Sequence, residues 1–217
     1  SIISVGNLTV GGTGKSVVVD FLARMLGEQQ CAIVLRGYKG SGSRRSVATL
    51  VSDGKHLLAN IHVAGDEAVM HAQQLGSVVV VGKNRAKSCL LIEKRFTIRY
   101  AILDDAYQNY AVQKDLEILL LDARAPFDNG HCLPVGRLRE KDYSRAQAIF
   151  FTHADLVTEA ELKKLKSITS PTPTFFGAHV FDGLWSGNCE RVATGMVQGK
   201  SFLLSAGVGS ASGVRAT

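Results

Sequence analysis

Short apolar strands alternating with amphipathic helices, a glycine-rich loop closing on Gly14-Lys15-Ser16, and strands that end in aspartate predict an α/β protein of the P-loop NTPase type. A mostly parallel sheet with helices on both faces is expected over residues 1–170. Residues 171–217 are expected to start a second, smaller and incomplete C-terminal α/β region. The chain has 217 residues, 46% hydrophobic and 20% charged, the balance of a folded protein with room for one full core. No apolar run approaches the ~18 residues that a membrane span needs.

Taken in order, Ile2–Val5 reads as a strand that leads through the glycine-rich loop into a helix over 15–26. On that helix Val18, Leu22 and Met25 share a face at helical spacing. Cys31–Leu35 is a second strand, and residues 47–63 suggest a small hairpin turning at Asp53-Gly54. A helix over 66–75, a strand over 78–81 and a helix over 86–94 follow. Two strands come next, Tyr100–Leu103 running into Asp104-Asp105 and Leu116–Leu121 running into Asp122. A loop containing Pro126, Asn129-Gly130 and Pro134 separates these from the strand Ala148–Phe151. Thr158 and Glu161 have the spacing of a capping box for a helix to Ile168. Beyond Pro171 and Pro173 the pattern weakens to short strands, including Ser201–Ser205.

The chemistry centres on Thr9-Val10-Gly11-Gly12-Thr13-Gly14-Lys15-Ser16, which fits GxxxxGK[ST] except that Thr9 stands where the first glycine belongs. Gly11, Gly12 and Gly14 can take positive φ, which lets backbone N–H groups turn toward phosphate oxygens at a helix N-terminus. Lys15 would reach the β- and γ-phosphates of ATP, and the Ser16 hydroxyl would ligate Mg2+. A second magnesium ligand is expected from a strand-ending acid. Asp104-Asp105 is preferred over Asp122, because two adjacent carboxylates at a strand end call for a cation. Asp66, opening a helix after Gly65, reads as an N-cap on its own.

A formal net charge of +6 points to an anionic partner such as a nucleotide or a phosphorylated substrate. Arg36, Lys39, Arg44 and Arg45, then Lys83, Arg85 and Lys87, follow strands, where loops face the ligand crevice. No basic stripe interleaved with aromatics suggests nucleic acid, and no protein partner is predicted. The four cysteines form no CxxC pair and the six histidines no HExxH, which argues against a zinc site and fits a reducing compartment.

The ordered blocks Ser4–Lys15, Arg36-Gly37-Tyr38, Gly65-Asp66-Glu67, Val81–Arg85, Leu103–Gln108 and Leu133–Glu140, with Ala206–Gly209 beyond, resemble the tetraacyldisaccharide 4′-kinase family of lipid A biosynthesis. The resemblance implies in-line transfer of the γ-phosphoryl group of ATP to a tetraacylated disaccharide 1-phosphate. Asp66 would be the catalytic acid accepting the hydroxyl proton, and Lys15 would neutralise charge. Ser16, Asp104 and Asp105 would organise Mg2+. Arg36, Tyr38, Arg85, Gln108 and Arg137 would line the glycolipid site. The family usually reads Asp-Asp-Gly-Phe-Gln-His, whereas this chain reads Asp104-Asp105-Ala106-Tyr107-Gln108-Asn109.

The chain is expected to be a piece of a longer protein, without the family's N-terminal membrane-associated helix and ending before a histidine motif of its second domain. The resemblance also implies peripheral membrane contact, at the cytoplasmic face of the inner membrane in a bacterium or in an organelle such as the mitochondrion in a eukaryote. Two alternatives stand beside this reading. One is a P-loop GTPase or metallochaperone-like protein, suggested by Thr152-His153-Ala154-Asp155. The other is a truncated, non-catalytic nucleotide-binding protein.

Overall fold

The computed structural model describes residues 1–37, 48–178, 180, 183–186 and 191–193. The chain divides into two compact units, Ser1–Gly177 and Ala178–Thr217. The first holds an eight-stranded sheet built from β1 (Ile2–Asn7), β2 (Cys31–Leu35), β3 (Thr49–Asp53), β4 (Val78–Val81), β5 (Tyr100–Asp104), β6 (Leu116–Asp122), β7 (Ala148–Thr152) and β8 (Thr174–Phe176). The spatial order is β3-β4-β2-β5-β1-β6-β7-β8. Every pairing is parallel except that of β3 with β4. The unit ends at Gly177 rather than at residue 170, because β8 hydrogen-bonds to β7 and so belongs to this sheet. In the second unit the described strands are β9 (Leu184–Trp185) and β10 (Arg191–Val192), an antiparallel pair.

Side-chain alternation along each strand assigns the faces. On β2, Cys31, Ile33 and Leu35 join a core with α1 (Lys15–Leu26) and α3 (Asp66–Gln74), while Ala32 and Val34 join a second core with α4 (Arg85–Arg95). A third core, around Leu119, Leu121, Ile149 and Phe151, takes Leu165 of α5 (Glu159–Thr169). Burial on both faces explains the unbroken apolar runs of β2 and β4.

Most elements match expectation, including the Thr158–Glu161 capping box of α5. Two differ. Val18, Val19, Leu22 and Ala23 form the buried face of α1, and Met25 is 61% exposed. With Val17 and Phe21 it makes an apolar stripe on the opposite side. The Asp53-Gly54 turn forms, its Asp53 carboxylate accepting from the Lys55 and His56 N–H groups. Its return arm, however, is a single bridge between Ser52 and Leu57, followed by the short α2 (Ile61–Ala64).

Sheet order locates the functional end of the molecule. The chain leaves β1 for β2 on one side, returns to insert β5 between them, then crosses to β6 on the other side. The carboxyl end of β1 is therefore the point where strand order reverses, and β5 and β6 flank it. Residues 38–47, which carry the expected Tyr38, Lys39, Arg44 and Arg45, lie outside the described residues.

Candidate active site

Residues after β1 form a loop whose first half is extended and whose second half turns. Thr9 bridges Leu138 in antiparallel fashion, the Val10 N–H donates to the Arg137 carbonyl at 2.8 Å, and the Arg139 N–H donates to the Leu8 carbonyl. An extended residue needs no glycine, so the threonine at position 9 fits the geometry it has. Gly11 and Gly14 have φ of +119° and +74°, and Gly12 lies outside that left-handed region. Gly14 caps α1 without any side-chain acceptor, so the N–H groups of the first turn have no capping acceptor and are aimed where an anion would sit.

β5 delivers the acids. Its register sets Asp104 beside Val5 of β1, at the carboxyl end of the sheet. The close approach depends on Gly6, where a Cβ would sit 2.5 Å from the Tyr107 Cβ. Asp104 is 2% exposed, and its Oδ1 is buried with no hydrogen-bond partner. Burial, with Glu67 and Asp105 adding repulsion, pushes its carboxyl up to about 6 against the pull of Lys15 and His71. Asp105 stands at φ +49°, with its Oδ1 3.5 Å from the Lys15 ammonium and 2.8 Å from the Arg139 guanidinium. Burial opposes ionisation there, but Lys15 and Arg139 outweigh it and hold the carboxyl below its usual range.

From α3 comes a group that sequence reasoning passed over. The Ser16 hydroxyl donates to Glu67 Oε1 at 2.5 Å, which joins the start of α3 to the phosphate loop. Gly65, not Asp66, occupies the N-cap position of α3. Asp66 sits exposed in the first turn, where its carboxylate accepts from the Glu67 N–H. A doubled acid after Gly65 was visible in the sequence, as it was at Asp104-Asp105.

Arg137 reaches over the loop rim, its NH2 group donating to the Val10 carbonyl and filling the space beside Gly11 where a Cβ would go. Gln108 donates to the Asn7 carbonyl and to Glu140, which also takes Tyr110 and Arg145. Arg145 stacks on the Tyr107 and Tyr110 rings, with 4.3 and 4.7 Å from its guanidinium carbon to the ring centres. Arg36 is exposed at the end of β2.

Arg85 departs from expectation. Only 3% exposed, it donates to the carbonyls of Gly82 and Asp104, tying β4 to β5 instead of offering its charge to a ligand at the surface. Burial holds its pKa down at about 10. Asp122, the rival acid, is consumed by Arg124 at 2.9 and 2.6 Å and by His153 at 3.3 Å. That second contact also occupies the ring that would stand in for the lysine of a guanine-reading motif.

A divalent cation fits these residues. A buried, unpartnered carboxylate oxygen on Asp104, a hydroxyl on Ser16 and a carboxylate on Glu67 are hard oxygen donors of the kind Mg2+ prefers. Among the described residues no group of three or more His, Cys, Asp or Glu forms a cage by itself. Mg2+ characteristically takes one or two carboxylates and completes its shell with water and phosphate oxygens.

The family model for tetraacyldisaccharide-1-P 4′-kinase (LpxK) matches residues 1–217. A tetraacyldisaccharide 4′-kinase of Desulfatibacillum aliphaticivorans is 45% identical over 71% of this chain and 43% of its own length. One from Desulfotalea psychrophila is 37% identical over 89% of this chain and 58% of its own. The crystal structure of LpxK from Aquifex aeolicus, an "apo" form in complex with ATP, is similar with a TM-score of 0.74 and 32% identity, covering 92% of this chain and 60% of that one. The chain thus spans roughly half the length of the relatives it matches.

Proposed function

The chain belongs to the tetraacyldisaccharide 4′-kinase family, and from that premise we propose that the protein transfers the γ-phosphoryl group of ATP to the 4′-hydroxyl of a tetraacylated disaccharide 1-phosphate. The observation that carries this reading is the meeting of three segments remote in sequence. Lys15 and Ser16 of the phosphate loop lie against Asp105 and Glu67, and Asp104 is buried nearby with one carboxylate oxygen unpartnered.

Each residue has a role in the proposed chemistry. The loop N–H groups and Lys15 would hold the nucleotide phosphates, and Arg137 steadies the loop from above. Ser16, Glu67 and Asp104 would hold Mg2+, which when bound neutralises charge on the phosphates. Asp105, already ion-paired, keeps Lys15 and Arg139 in place. Asp66, exposed beside Glu67, would accept the proton of the attacking hydroxyl. Catalysis of this kind rests on positioning and on charge stabilisation rather than covalent chemistry. Arg36, Tyr38 and Gln108 would meet the glycolipid, with Gln108 held in place by Glu140.

No helix among the described residues is long and apolar enough to cross a membrane. The exposed stripe of Val17, Phe21 and Met25 on α1 supports peripheral contact with lipid, since it begins one residue beyond Ser16.

Calorimetry of ATP binding with and without Mg2+ tests the reading, on the wild-type chain and on Lys15→Ala, with GTP as competitor. Mg2+-dependent ATP binding that Lys15→Ala abolishes and GTP cannot match is expected, and a lipid kinase assay on the full-length protein then tests transfer. A preference for GTP, or Lys15→Ala binding as wild type does, would overturn it.

A further inference from the structure

The two helices that carry the site run side by side and are cross-linked three times at matching intervals. At the mouth, Ser16 of α1 bonds Glu67 of α3. Four residues further along each helix, His71 Nδ1 meets Asp20 Oδ1 at 2.5 Å. A turn beyond, Arg24 donates to the Gln74 carbonyl at 3.1 Å. Spacings of three and four residues place successive rungs on one face of each helix.

The middle rung differs from the others. The His71 side chain is fully buried, and Asp20 is partly buried beside it. A carboxylate can only accept, so the imidazole Nδ1 carries the proton and the bond is directional. The rungs on either side are also directional, but they lie exposed to solvent. Apart from His71, α3 offers its core only small or half-buried apolar side chains, Ala68, Val69 and Ala72. Such a surface has few ridges to lock its position along a neighbouring helix. A buried polar pair supplies register where apolar packing does not, the best-attested use of such pairs.

We infer that Asp20 and His71 are positioning residues for the phosphoryl-transfer site. They hold α3 in register along α1 so that its acidic first turn, Asp66-Glu67, stays beside Ser16, and this assignment rests on the kinase reading above. Neither residue touches substrate; both act through Glu67 and Asp66. Since the phosphate loop belongs to α1, losing the pair leaves nucleotide contacts intact while loosening the metal-side carboxylate.

The test compares His71→Ala with His71→Asn, whose amide nitrogen replaces Nδ1 as a donor. The Mg2+ concentration for half-maximal ATP binding is measured by calorimetry, and kcat and KM are measured on the full-length protein. In His71→Ala the Mg2+ midpoint is expected to rise about tenfold and kcat to fall about tenfold, with KM for ATP within about twofold, and His71→Asn is expected to recover most of both. If His71→Ala does not fold, Asp20→Ala removes the acceptor at the more accessible end and is read the same way. A lower melting temperature with unchanged Mg2+ midpoint and kcat would reduce the pair to a stabilising contact and overturn the inference. Wild-type protein lacking Mg2+-dependent ATP binding would instead sink the underlying reading.

Discussion

β5 and β6 lie on either side of β1, both are mostly apolar, and both end in an aspartate at the same edge of the sheet. Asp122 at the end of β6 is clasped by Arg124 through two side-chain bonds and one backbone bond, and is approached by His153. Arg124 and His153 outweigh its burial, and its carboxyl lies below the usual range. Asp104 at the end of β5 is more deeply buried, has an oxygen with no partner, and sits at about 6. One carboxylate has been satisfied by its own chain; the other has been desolvated and left wanting a cation. A strand-ending acid is thus recognised as functional by what fails to neutralise it, not by its position.

Replacing each acid by its amide breaks the comparison most directly. Asp104→Asn is expected to lower kcat of the full-length protein by about 100- to 1,000-fold, the range seen when an electrostatic partner of the transition state is removed. It should also raise the melting temperature of the metal-free protein, because an unpaired buried charge disappears. Asp122→Asn should do the reverse, leaving kcat within about threefold and lowering the melting temperature. Equal losses of activity from both would abolish the distinction.

The chain that follows β5 also folds back closely on β1. After β5 the chain crosses over Gly6, where a Cβ would meet the Tyr107 Cβ at 2.5 Å and its backbone nitrogen at 2.7 Å. Gly6→Ala is therefore expected to cost about 3 kcal/mol, as an overpacked core does, and to weaken ATP binding by shifting Asp104 and Asp105 away from the loop. Denaturant unfolding and calorimetry check it. Wild-type stability in this variant would mean that β5 approaches β1 less tightly than the structure has it.

Local patterns in the sequence carried most of the fold. Strand, loop and helix around Gly14-Lys15-Ser16 are contiguous, and strand burial on both faces writes itself as unbroken apolar runs. What stayed hidden was non-local. Met25 shares helical spacing with Val18 and Leu22 but equally with Val17 and Phe21, and only packing decides which stripe is covered. Glu67 finds Ser16 across 51 residues of sequence, a contact no spacing rule reaches. Arg85 looked like a surface cation because arginines usually are; its burial is a consequence of two carbonyls that need a donor. Thr9 looked like a departure, yet its extended backbone explains why glycine is dispensable there.

Proton linkage sharpens the comparison further, through a smaller effect. In chelator, without nucleotide, Asp104 and Asp122 should give opposite slopes of stability against pH. An unfolded aspartate titrates near 3.8 and the folded Asp104 near 6, so between these values the native state holds more protons than the unfolded chain. The stability from protonated Asp104 is present below about 3.8 and lost as pH rises through about 6. Its full extent is at most about 3 kcal/mol, at 1.36 kcal/mol per unit. Asp122, shifted the other way, contributes stability above 3.8 that is lost as pH falls through its folded value. Measured as differences, wild type minus Asp104→Asn should gain stability from pH 7.5 down to 4, and wild type minus Asp122→Asn should lose it below about 4. Subtracting each amide variant removes the titration of every other group, leaving the single carboxyl in view. A flat difference for Asp104 would mean that its burial had been relieved by a partner, and with that the physical case for a cation beside Ser16 would go.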